Sequence, residues 1–152
     1  MVRKKAPPSE DEHKIKLGIL TDSLGYHLRR AQINNYRQFA AKFGKTRITP
    51  TQLAIMILVD LNPGVSQVDL GKILDMDRAT TMAIIDKLQG RKWLERRKSA
   101  QDRRKHALHL TSSGGNALKK MEREINKLEK HFVSPLTDAE GKQLLYLLKK
   151  LL

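Results

Sequence analysis

The sequence predicts a mainly α-helical chain carrying one small β-hairpin, and three observations predict it. Apolar residues recur at three- and four-residue spacing through most of its 152 positions, the period of a helix with one buried face. The exception is WLERRKSAQDRRKHALHL (residues 93–110), where two short strand-like runs flank a charged tip. Positive charge is also concentrated: residues 91–106 carry eight Lys or Arg against two acids, a net six of the chain's formal +14.

Composition bounds the function. One domain of this length buries a real core, and an excess of 30 Lys and Arg over 16 Asp and Glu attracts polyanions from a distance. With no cysteine, disulfides, thiolate metal sites and thiol redox chemistry are excluded. No apolar run approaches the ~18 residues of a membrane span, and MVRKKAPPSEDEHK lacks the apolar stretch of a secretory signal. The expected compartment is the cytoplasm, with no membrane partner.

In chain order, residues 1–12 lack apolar periodicity and read as a flexible arm; 13–152 read as a single domain. From Lys14 to Phe43, Leu17, Leu20, Leu24, Leu28, Ala31, Tyr36, Phe39 and Phe43 mark one long helix. It exceeds what a small core needs, so a second subunit is expected on part of its face. Thr49 and Gln52 form a capping box around Pro50, and Asn62-Pro63-Gly64 stops the second helix, roughly 50–61. Ser66 caps a third helix (Gln67 to Leu74), Asp75-Met76 turns, and Asp77 caps a fourth reaching Gln89. Leu70, Leu74, Ile84, Ile85 and Leu88 supply a shared core, as in a helix-turn-helix.

WLERR and HALHL then form the hairpin strands. Thr111 caps a fifth helix carrying Leu118, Met121, Ile125, Leu128 and Phe132, which ends near Pro135; Thr137 and Glu140 box the last helix. A helix-turn-helix followed directly by a hairpin is a winged helix-turn-helix, here about 47–110, flanked by N- and C-terminal dimerisation helices at about 14–43 and 112–152.

That order assigns the charge. The fourth helix enters the major groove of duplex DNA and the wing follows the backbone toward the minor groove, where arginine is favoured. Arg78 is the candidate guanine contact, with Thr80, Thr81 and Lys87 on the same helix. Arg97, Asp102, Arg103, Arg104 and Lys105 belong to the wing, Asp102 orienting Arg104. Thr49, Thr51, Ser66 and Gln67 begin helices whose free amides suit phosphates. A nonspecific architectural or RNA-binding protein would share the net charge; competition between one preferred duplex and random DNA separates the two.

Catalysis is not expected. Gly44-Lys45-Thr46 ends like a phosphate-binding loop, but Phe39 stands where the first glycine is required. The histidines are scattered, without metal spacing, and no Gly-x-Ser-x-Gly occurs. No cofactor is expected.

MDRATTMAIIDKLQGRKWLERR (76–97) and DRRKHALHLTSSG (102–114), with Asp-x-Arg at the wing tip and Leu-Thr-x-x-Gly at the next helix start, resemble the MarR family of bacterial transcriptional regulators. The likeness covers nearly all of the chain beyond the first dozen residues. It implies a ligand-responsive repressor: a homodimer on a near-palindromic operator that releases double-stranded DNA when a small anionic or aromatic effector binds between the dimer helices and the DNA-binding lobe. Its positions for DNA contact match Arg78, Thr80 and Thr81, and Asp102 with Arg104, while the peroxide-sensing branch is excluded by the lack of cysteine. LGYHLRRAQINNYRQF (24–39) is similar to the first helix of members that respond to aromatic carboxylates or their coenzyme A thioesters, which makes Tyr26, His27, Arg29, Arg30, Tyr36 and Arg37 the effector candidates. Arginine would hold a carboxylate or phosphate, and tyrosine a ring.

Overall fold

The computed structural model describes residues 15–98 and 106–152; the expected arm, 1–12, lies outside them. The chain divides into two compact units, 1–34 and 35–152.

In the first unit the expected helix from Lys14 is replaced by a 3₁₀ turn over Gly18–Asp22, and α1 (Leu24–Phe43) starts ten residues later than Lys14. The cause is local. Gly18 takes a φ of 54°, outside the helical region, and Ser23 is extended, its hydroxyl accepting the Tyr26 amide at 3.3 Å as an N-cap does. No residue between 15 and 34 is buried, and Ile15, Leu17, Ile19, Leu20, Leu24, Leu28 and Ile33 are exposed.

The second unit holds the core. Phe39 and Phe43, at the end of α1, stack with centroids 4.5 Å apart. α2 (Pro50–Leu61) runs as expected from the Thr49–Gln52 capping box, and both bonds of the box form. Its Leu53, Ile55, Met56 and Val59 are buried, so α2 is central, packed by α4, α5 and β2. Each such side chain contributes about 1.5–3 kcal/mol on burial. α3 (Gln67–Ile73) and α4 (Arg78–Gly90) begin at the expected caps, Ser66 and Asp77. Leu70, Ile85 and Leu88 are fully buried; Leu74 and Ile84 are partly so.

The hairpin pairs β1 (Leu94–Lys98) antiparallel with β2 (His106–Leu110), Leu94 opposite Leu110 and Arg96 opposite Leu108. Trp93, expected as the first strand residue, precedes β1: its amide bonds the Leu88 carbonyl at 3.1 Å and closes the end of α4. The other edge of β2 is covered by the α2–α3 loop, through Gly64 N–H to Leu108 O (2.8 Å) and Leu108 N–H to Val65 O (3.0 Å).

α5 (Ser112–Phe132) is seated on the base of this hairpin. The Thr111 hydroxyl caps the helix by accepting the Gly114 amide (2.9 Å) and donates to Lys92 O (2.6 Å), while the Thr111 amide bonds Trp93 O (3.1 Å). Gly114 is required by close approach, because a Cβ there would lie 1.9 Å from the Trp93 carbonyl oxygen. The Leu-Thr-x-x-Gly run is thus the joint between wing and helix. α6 (Asp138–Lys150) forms the second predicted capping box, Thr137 with Glu140, yet buries no residue; Leu144, Leu145, Tyr146 and Leu147 are all exposed.

Candidate nucleic-acid interface

α4 is aimed by the turn before it. Asp75 adopts a φ of 49° and the Met76 amide bonds Gly71 O at 2.8 Å, so α3 ends abruptly and Asp77 starts a new helix. The Asp77 carboxylate accepts the Thr80 amide (2.8 Å) and the Thr80 hydroxyl (2.6 Å). The hydroxyl bond first, and the amide bond second, hold its pKa below the usual aspartate value.

Arg78, the first residue of α4, is exposed at a cleft of about 510 Å³ that Gln67, Lys72 and Asp75 also line. Thr80 is exposed, but its hydroxyl proton is committed to Asp77, leaving acceptor capacity only. Lys87 is exposed in the last turn. Thr81 is a correction to the expected contacts: it is 2% exposed and donates to Asp77 O at 2.8 Å. Its helical period places it with buried Ile85 and Leu88, so it packs within the protein.

At the other helix starts, the caps consume part of what a phosphate would use. Thr49 takes the Gln52 amide, and Pro50 has no N–H, so Thr51 supplies the free amide of that turn. The Ser66 hydroxyl accepts the Asp69 amide (3.1 Å) and donates to the Asp69 carboxylate (2.7 Å), which sets a negative charge close to Gln67.

Within the wing, Arg97 is exposed and paired with Glu95 on its own strand. Asp102, Arg103, Arg104 and Lys105, and the expected Asp102–Arg104 pair, lie outside the described residues. Two arginines that sequence reasoning did not single out organise the wing's base. Arg96 reaches from β1 to Asp86 of α4 (2.6 Å) and to Gln89. Arg91 donates to Thr46 O (2.9 Å) and Arg47 O (2.8 Å), and its guanidinium lies 5.0 Å from the Trp93 ring centroid. Neither has a local sequence signal for its hydrogen bonds, whose acceptors are 7 to 45 residues away. Met82, also unremarked in the sequence, is 45% exposed beside exposed Ala79 and Ala83.

Of the effector candidates, Tyr26, His27 and Arg30 form one cluster in the first unit. The Arg30 guanidinium lies 5.7 Å from the Tyr26 ring centroid and donates to its hydroxyl (3.4 Å); His27 meets the Tyr26 ring edge-on at 5.4 Å, with Nε2 2.7 Å from Thr21 O. Arg29 is exposed. Tyr36 and Arg37, both exposed, belong to the second unit.

Among the described residues no three His, Asp or Glu side chains gather as metal ligands would, and no helix is long and apolar enough to cross a membrane.

Comparison with known proteins agrees with this geometry. Residues 48–105 match a family model described as the MarR family. The chain is 34% identical over 146 residues to a protein assigned to regulate transcription of the hcr operon in Thauera aromatica, covering 95% of this chain and 88% of that one. Among solved structures it is similar to the transcriptional repressor CouR bound to a 23-mer DNA duplex, with a TM-score of 0.86 and 31% identity over 91% of this chain and 98% of that one. It is also similar to BpsR of Bordetella bronchiseptica, whose DNA binding is regulated by 6-hydroxynicotinic acid; there the TM-score is 0.81 and the identity 27%, over 86% and 94% of the two chains. These relatives are regulators rather than enzymes. A capped α4 joined to a cationic wing, and a whole-chain likeness to such regulators, show that this chain belongs to the MarR family and is a transcriptional regulator of that type.

Proposed function

We propose that this protein is a cytoplasmic, homodimeric repressor that grips a pseudo-palindromic operator and releases it when an aromatic acid binds. The observation that carries the reading is the bond between Arg96 and Asp86, which braces the wing strand against α4, so that two grooves of one duplex are met together. On this reading Arg78, Thr80 and Lys87 face the major groove. Arg97 and the tip residues Asp102, Arg103, Arg104 and Lys105 follow the backbone to the minor groove, while Thr49, Thr51, Ser66 and Gln67 approach phosphates.

Residues 13–152 act as one domain, in which the winged segment, about 47–110, reads DNA and the helices outside it pair two copies. The apolar side chains left uncovered at 15–33 and along α6 support a second copy as their cover. The Tyr26–Arg30 cluster supports an aromatic anion as the effector, a carboxylate or its coenzyme A thioester, and a similar protein is regulated by 6-hydroxynicotinic acid.

The test uses the purified full chain and the DNA upstream of its own gene. Binding should exceed that to random duplex by about a thousandfold or more, and aromatic acids or their thioesters should release it. Equal affinity for all duplexes would make it an architectural binder and overturn the proposal.

A further inference from the structure

On the operator-binding reading, the outer face of α4 holds an unexplained apolar strip. Thr81, Ile85 and Leu88 turn into the core, and Arg96 engages Asp86. The exposed side chains along the middle of the helix that carry no polar group are Ala79, Met82 and Ala83, at i, i+3 and i+4, which adjoin on one face between exposed Thr80 and the Arg96-paired Asp86. Exposed Arg78 precedes this strip and exposed Lys87 follows it. The two alanines let the helix axis come close to whatever it meets, and Met82 is the one long side chain between them. The flanking cations select a polyanion, and the apolar group that duplex DNA displays in its major groove is the C5-methyl of thymine.

We propose that Met82 is a specificity residue that recognises thymine by its methyl group, with Ala79 and Ala83 providing the close approach. Methionine suits the task because its unbranched, polarizable side chain adapts to a small apolar target. The contact excludes water from one methyl on each side, and losing one methyl's transfer free energy weakens binding about fourfold.

The experiment selects the preferred duplex from a random library with the full-length protein, then replaces each thymine in turn by deoxyuridine, which removes the methyl and keeps the hydrogen-bonding groups. Wild type should lose about fourfold in affinity at one or two thymines per half-site. Met82→Ala should bind both duplexes equally at those positions, and Met82→Leu should keep the discrimination. Melting curves establish that both variants fold, as expected for a side chain 45% exposed. A preferred duplex on which wild type ignores every deoxyuridine, or on which Met82→Ala keeps the wild-type pattern, overturns the role of Met82 alone. A selection that yields no preferred duplex overturns operator binding, and the inference with it.

Discussion

Arg96 of β1 and Asp86 of α4 meet at 2.6 Å across ten residues of sequence, with the arginine side chain only 19% exposed. Through that pair, and the second bond from Arg96 to Gln89, the wing strand is braced against the helix that precedes it. With Asp86 56% exposed to solvent, such a pair typically contributes about 0.2–1 kcal/mol to stability, so the role of this one is to set direction. Arg96→Ala should therefore change the melting temperature little while weakening operator binding severalfold, and a double-mutant cycle with Asp86→Ala should show the two effects to be non-additive. Equal affinity of Arg96→Ala and wild type would show that the brace does not position the wing.

Gly114 should tolerate no side chain. A methyl at that position collides with the Trp93 carbonyl at 1.9 Å, and the oxygen belongs to backbone that also accepts from Thr111. Gly114→Ala should cost about 1–3 kcal/mol, the usual range for overpacking, measured by urea denaturation. A variant as stable as wild type would mean that the helix start shifts freely.

The cations should separate by salt and by sequence. Each phosphate neutralised steepens the fall of log K with log salt by about 0.9. Arg104→Ala should reduce that slope by about one contact, uniformly across duplexes. Arg78→Ala should instead relax preference at one base pair by about 1–3 kcal/mol. Quantitative binding at several salt concentrations distinguishes the two patterns.

Acid should loosen the fold through three carboxylates. Asp77 is held below its ordinary pKa chiefly by the Thr80 hydroxyl, Glu124 by hydrogen bonds from Lys42 and then Lys127, and Glu140 by the Thr137 amide and hydroxyl. Because each folded-state value is depressed, its contribution is complete above the unfolded value, about 4, and disappears as pH falls through the lower folded value. Melting temperature should hold between about pH 7 and 5 and drop below about pH 4. The double variant Asp77→Asn, Glu140→Gln should show a shallower drop; an unchanged profile would place the acid sensitivity elsewhere.

Sedimentation of the full chain should give two copies per particle. Leu145 and Leu147, 55% and 48% exposed on α6, are the points at which to test the cover: Leu145→Glu with Leu147→Glu should shift the particle to a monomer and weaken operator binding with it. A wild-type monomer would remove the second copy from the proposal.

What the sequence determined by itself was local. The starts of α2 to α6 could be read because a cap and its partner stand within three residues, as at Thr49–Gln52, Ser66–Asp69, Asp77–Thr80, Thr111–Gly114 and Thr137–Glu140. The apolar period likewise marked Ile85, Leu88, Leu118 and Met121 as core. At one place that period was outweighed: Gly18 and Ser23 broke a helix whose apolar spacing continued through them. Tertiary structure decided which face each polar residue received. It buried Thr81, took Trp93 out of the strand to close α4, turned Arg91 onto the carbonyls of Thr46 and Arg47, and joined Arg96 to Asp86. The physical reason is range: a cap is satisfied within one helical turn, whereas a long arginine side chain takes its partner from whichever distant backbone or carboxylate the packed core brings within hydrogen-bonding distance.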